Sequence, residues 1–150
     1  MAPLRTGRSF DFALRFPIGE VRNWAARYGY RGPETERLET VVGPRSRDAD
    51  VITKPDFLAI CEWKSPRQRP RYAENGPEVI EEVTRIALSA RDERIRIGVL
   101  LVLRGVGWPV ASTLLYFAHR DPYPILDFRA LWSLGVDQPP FVYDFAFWWA

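Results

Sequence analysis

One hundred and fifty residues make about one ordinary domain, and a chain of this length buries roughly 70% of the surface its unfolded form exposes. Hydrophobic residues are 47% and charged residues 27%, which argues against disorder, and a single cysteine (Cys61) with a single histidine (His119) excludes a Cys/His zinc site, an iron–sulfur cluster or an intrachain disulfide built by this chain alone. The net charge of +2 hides a choice of cation: all but two of the 21 basic residues, Lys54 and Lys64, are Arg, the better phosphate fork, although a GC-rich coding sequence produces the same bias.

Residues 1–16 show no helical period, and the alternation of Phe10, Phe12, Leu14 and Phe16 suits an extended arm lying on the domain. Residues 18–28 predict a helix, with Ile18, Val21, Trp24, Ala25 and Tyr28 at helical spacing and Gly29 as its stop. Residues 31–50 are polar and basic, punctuated by Gly32-Pro33 and Gly43-Pro44, and predict a mobile loop holding at most a short helix between Glu34 and Val42. Thr53 is the expected N-cap of a helix with Pro55 in its first turn and Phe57, Leu58, Ile60, Cys61 and Trp63 on its apolar side, ended by Ser65-Pro66. A basic loop follows. Asn75 with Glu78 then reads as a capping box for a helix whose stripe is Val79, Ile80, Val83, Ile86, Ala87 and Ala90.

Residues 95–103 fit two periods, because Ile95, Ile97, Val99 and Leu101 alternate as a strand does while the apolar run from 99 to 103 suits a buried helix. The Gly-bearing turn at 104–107, followed by Trp108-Pro109 and a helical stretch over 110–118, favours two helices joined by a short turn, an αα-hairpin over 95–118. Asp127 is the expected N-cap of a helix over 128–134 closed by Gly135. These elements describe an all-α chain, a single helical domain over 1–150.

The 104–107 turn has a physical use of its own. Its glycines let backbone approach a phosphate, and the N–H groups of Val106, Gly107 and Trp108 at the start of the next helix are placed to hold an anion with the helix dipole behind them. Such contacts read backbone rather than base sequence. The bland alternative is a turn that joins two core helices and binds nothing.

The string LLVLRGVGWPVASTLLYFAHRDPYPILDFRALWSLG, residues 100–135, resembles the helix-hairpin-helix DNA glycosylase superfamily of base-excision repair. Leu103-Arg104-Gly105-Val106-Gly107 matches the family's L-x-G-V-G hairpin, Ala111 stands where the second helix carries a small residue, and Asp127 follows the second hairpin glycine at the family's usual interval. With the preceding helices the resemblance covers about residues 75–135; residues 1–50 match nothing. It implies double-stranded DNA as partner, held by sequence-nonspecific backbone contacts, and a monovalent cation held against the phosphate by hairpin carbonyls such as those of Leu103 and Gly105. It also implies that Asp127 is the catalytic carboxylate, stabilising the charge that grows on the sugar as the glycosidic bond breaks or positioning the attacking water. A plain helix cap explains the same residue equally well.

The chain departs from that pattern in ways that narrow the chemistry. Members that also cut the abasic site carry a nucleophilic Lys two residues after the second hairpin glycine, where this chain has Pro109, so the implied enzyme is a monofunctional one without lyase chemistry from that position. The cluster-binding cysteines of some members are missing, and the chain is short for a two-domain glycosylase with a base pocket between helical subdomains.

Lys64, Arg67, Arg69 and Arg71 follow one another without an acid, flanked by Trp63 and Tyr72 as candidate stacking surfaces, and are phosphate-contact candidates; a solvated loop is the competing reading. Pro55-Asp56 and Glu62-Trp63-Lys64 spell the PD-x5-E-x-K letters of a metal-dependent nuclease superfamily, but that site needs acids on adjacent strands, whereas this stretch reads as one helix. His119 reads as a helix-end residue. The tail 139–150, with Phe141, Tyr143, Phe145, Phe147, Trp148 and Trp149 and one charge, Asp144, needs cover from the domain or from a second copy of the chain, a route to self-association. No cofactor or metal is called for, no apolar run is long enough to span a membrane, and the first residues lack the apolar region of a signal peptide, which together point to the cytoplasm. Three functions are in competition: a monofunctional DNA glycosylase, a non-catalytic helix-hairpin-helix DNA-binding module, and a helical protein-interaction domain.

Overall fold

A computed structural model describes residues 10–27, 32–137 and 143–150, and among these the chain is all-α, with no strand. The helices are α1 (Val21–Arg27), α2 (Pro33–Arg37), α3 (Gly43–Ala49), α4 (Lys54–Lys64), α5 (Arg69–Ala73), α6 (Pro77–Ser89), α7 (Glu93–Leu100), α8 (Trp108–Ala118), α9 (Phe128–Ser133) and α10 (Phe145–Trp149). Short 3-10 turns at Ile18–Glu20 and Pro66–Gln68 precede α1 and α5. The abundant prolines act as starters: Pro33, Pro44, Pro55, Pro70, Pro77 and Pro109 each sit in the first turn of a helix, where a missing N–H costs nothing. The helices fall into two compact units, a central one of residues 30–125 and a terminal one built from residues 1–29 and 126–150, a finer division than the one domain read from length.

The core of the central unit follows from helical spacing. Phe57, Ile60 and Cys61 of α4, Ile80, Val83 and Ala87 of α6, Ile97 and Leu100 of α7, and Val110, Ala111, Leu114 and Leu115 of α8 are buried, and α6 packs on α7 while α4 and α7 pack on α8. The ambiguous stretch is a helix: Ile97 and Leu100 point inward at i,i+3 while Ile95 and Val102 are exposed, a division that a strand would not make. Of the stripe on α6, Val79 and Ile86 face outward and Thr84 takes an inward place, its hydroxyl accepting the Ile52 N–H at 3.1 Å.

Two expectations fail here. Residues 33–49 are not a loop but a continuous helical path, α2 and α3 joined by a π-helical segment, Leu38–Val42, whose Leu38 and Val42 are fully buried. The π turn takes the chain past Pro44, which has no N–H to give to residue 40, and brings Gly43 against α8, where a Cβ would lie 2.7 Å from the Phe117 carbonyl oxygen. Glycine and proline there are packing devices rather than punctuation. Nor is Asn75 a cap: the α6 N-cap is Gly76, and the buried Asn75 amide is used elsewhere. Thr53 does stand at the N-cap of α4 but makes no side-chain capping bond.

In the terminal unit, residues 10–16 run without helix beside α9, with the N–H groups of Ala13 and Arg15 donating to Leu134 and Ser133. The Phe10 and Phe12 rings meet Phe147 edge-on, so the buried part of the tail, Phe147 and Trp148, is covered by its own chain and needs no second copy for that. The apolar stripe on α1 finds no such cover: no residue of α1 is buried, and Ile18, Val21 and Trp24 stay exposed. The first nine residues, Tyr28 and Gly29, Arg31 and Phe141 lie outside the described residues. Among the described residues no helix is long and apolar enough to cross a membrane.

Candidate nucleic-acid interface

The turn between α7 and α8 is built by tightening. The N–H groups of Leu101, Val102 and Leu103 reach back three residues to Gly98, Val99 and Leu100, and Val106 N–H donates to the Leu103 carbonyl at 3.1 Å. Val106 is therefore not one of the free donors expected from the sequence. Gly107, extended at the N-cap of α8, and Trp108 are: their N–H groups meet no acceptor among the described residues, and Gly107 is exposed. The Leu103 carbonyl accepts this one hydrogen bond from Val106, which leaves its second lone pair.

What fixes the turn comes from outside it. Gly105 has φ +84°, and a Cβ there would lie 2.8 Å from the Tyr72 ring and 3.0 Å from the Arg71 Cβ, so α5 passes directly beneath it. Asn75 completes the support, its Nδ2 donating to the carbonyls of Tyr72 (3.0 Å) and Arg104 (3.1 Å) and its Oδ1 accepting the Arg104 N–H (2.8 Å). Nothing in the linear spacing announced this clamp, since Asn75-Gly76-Pro77 ahead of an apolar stripe has the form of a helix start.

The basic segment is helical rather than a loop, and its charges have separate fates. Arg67 and Arg71 are exposed and no carboxylate among the described residues pairs with either; Arg71 lies beside Gly105. Arg69 is paired with Glu62 at 2.9 Å, and Lys64 is half-buried at the end of α4. Arg104, in the turn itself, forms an exposed pair with Glu74 at 3.2 Å, an interaction worth about 0–1 kcal/mol. The expected stacking rings are spent: Trp63 donates its indole N–H to the Thr35 hydroxyl and packs edge-on against Phe117, and Tyr72 is fully buried, its hydroxyl bonded to the Ser65 carbonyl and pushed up in pKa by burial.

Asp127 is the N-cap of α9, half-buried, its Oδ1 accepting the Arg129 N–H at 2.9 Å. It belongs to the terminal unit and the turn belongs to the central one. Around α9 lies a cleft of about 300 Å³ lined by Phe128, Arg129, Trp132 and Val136, with Phe128 and Trp132 largely exposed. The carboxylate letters on α4 have other partners: the buried Asp56 forms a two-point ion pair with Arg45, and Glu62 holds Arg69. Among the described residues no group of three His, Cys, Asp or Glu is placed to bind a metal. His119 ends α8 as expected, but it is buried within a polar cluster that spacing did not suggest.

Comparisons of the chain with protein-family models, with curated proteins and with solved structures gave no match.

Proposed function

We propose that this chain is a DNA-binding protein that meets the phosphate backbone of duplex DNA through the face made by the α7–α8 turn and α5. The observation that carries the proposal is the juxtaposition of two unlike anion-binding elements: unpaired N–H groups of Gly107 and Trp108 at a helix start, and Arg71, without a carboxylate partner, beside Gly105 in the same turn. Arg67 and Arg104 extend the positive charge, and the contacts carry no base-sequence information. The reading sets the protein in the cytoplasm, where a lone buried thiol such as Cys61 stays reduced.

The test is filter binding to random duplex. Gly107→Val leaves room for the fold, because a Cβ there meets nothing closer than 3.9 Å, but it puts a branched side chain where a phosphate must approach. Weakened binding in a folded Gly107→Val variant is expected; unchanged affinity would remove the turn from DNA recognition and leave a helical protein-interaction domain as the better account.

The resemblance to helix-hairpin-helix glycosylases adds a finer proposal, monofunctional base excision with Asp127 as the carboxylate. What supports it is the interval from Gly107 to Asp127 and the fixed orientation of a capping Asp. Asp127→Asn keeps a cap of equal quality and removes the charge, so base release from damaged duplexes is expected to be lost while α9 persists. Release that survives the substitution would leave Asp127 as a cap alone. With Pro109 in the lyase position, borohydride is expected to trap no covalent adduct.

A further inference from the structure

The seven residues that follow α8 are held in two places: Arg120 donates to the Arg47 carbonyl at 2.7 Å and pairs with Asp50, and a second, buried cluster centres on His119. His119 is buried at the end of α8, and both of its ring nitrogens face N–H donors: Nδ1 accepts the Asp121 backbone N–H at 2.9 Å, and Nε2 contacts the Arg96 guanidinium. Arg96, itself buried, is fixed by the carbonyls of Ala87 on α6 and of Ala90 just beyond its end, and by Glu93, whose carboxylate it meets at 3.0 Å. Tyr123 closes the cluster, its ring edge-on to the imidazole at 4.9 Å between centroids and its hydroxyl donating to the same Glu93 oxygen at 2.8 Å. We propose that His119 is a proton-operated latch: neutral, it docks residues 121–123 through Asp121 and Tyr123, and protonated, it releases them while Arg120 keeps its own anchor.

The geometry sets the direction. A neutral imidazole has one acceptor nitrogen and already faces two donors. A second proton would sit on Nδ1 against the Asp121 N–H, or on Nε2 against a permanent cation. The other charges around the ring do not reverse this. From α7, Glu93 is attractive but already neutralised by Arg96; Asp121 holds its carboxylate 3.9 Å from Nδ1 with a side chain largely in water; Arg120 and Asp50 form their own pair on the rim of the adjoining cleft; and α6 with its C-cap contributes only carbonyls, taken by Arg96. Burial, followed by the charge of Arg96, holds His119 below its ordinary value of 6.5, against weaker upward pulls from Asp121 and Glu93.

His119 is the only histidine, so the imidazole proton resonances of the intact protein report on it without assignment. A titration midpoint below 6.5 is expected, and over the same pH range the protection factor of the Asp121 amide should fall by up to about tenfold per pH unit while helical ellipticity holds. His119→Gln, uncharged at every pH, should show no such fall, and Glu93→Gln should move the midpoint further down in an otherwise wild-type chain. A midpoint at 6.5 or above overturns the latch, even if His119→Gln does not fold, and so does an equal loss of protection in a folded His119→Gln protein.

Discussion

A Cβ at Gly105 would lie 2.8 Å from the Tyr72 ring on a backbone with φ +84°, whereas one at Gly107 would meet only Pro109 Cδ at 3.9 Å. Gly105→Ala is therefore expected to cost about 1–3 kcal/mol and Gly107→Ala no more than about 0.5 kcal/mol, measured by urea unfolding. Equal effects at the two positions would contradict the turn geometry. Sequence alone gave both glycines one role, because a motif records that a side chain is missing and not what lies above it. Asn75 has the form of a helix cap for a related reason: the side chain that best fits an N-cap also fits a turn clamp, and only the approach of Arg104 from 29 residues away separates them. Asn75→Ala should cost about 1–3 kcal/mol, since it leaves the Arg104 N–H and carbonyl without their partner. For His119 the sign follows from a folded-state pKa held below the unfolded value of 6.5: the unfolded chain takes up the proton first, so this contribution to stability is whole above 6.5 and is lost as pH falls toward the folded-state value.

The elements were legible where an apolar stripe had helical period, as on α4 and α6, or where a glycine turn marked a start, as before α8, and illegible where packing ran against local chemistry. Residues 33–49 look like a loop because they carry Gly43-Pro44 in a polar, basic setting, yet Leu38 and Val42 anchor them to the core, and the π segment accommodates the proline. That seat depends on the missing Cβ of Gly43, which faces backbone, the Phe117 carbonyl, and not a yielding side chain. Gly43→Ala should force α3 away from α8 and lower stability by about 1–3 kcal/mol; an unaltered urea midpoint would mean that the two helices are not in this register. Over residues 64–71 the same kind of reading concerns charge. The four basic residues were indistinguishable in sequence, but Arg69 is paired with Glu62 while Arg67 and Arg71 have no such partner. Replacing Arg71 by Ala should lower the salt slope of log K by about 0.9, with a smaller effect for Arg69, and equal slopes for the two variants would return the segment to a solvated surface.

At the scale of the whole molecule the division into two units matters more than any one residue. The central unit is a continuous stretch of chain with its own core, from Leu38 through Phe57, Ile80 and Ile97 to Leu115, and it contains the turn, α5, Asn75 and the unpaired arginines. The terminal unit contains Asp127 and most of the aromatic surface still open to solvent. Length and composition gave no sign of this boundary, because the terminal unit is assembled from both ends of the chain and no linker composition marks it. If DNA is held by the α7–α8 face, a chain of residues 30–125 should unfold cooperatively and keep the salt slope and random-duplex affinity of the whole protein to within about tenfold, which is about 1.4 kcal/mol. The same fragment should release no base from any damaged duplex that the whole protein attacks, since it lacks Asp127. A folded fragment that binds no DNA would move recognition to the terminal unit, and a fragment that still excises bases would remove Asp127 from the chemistry.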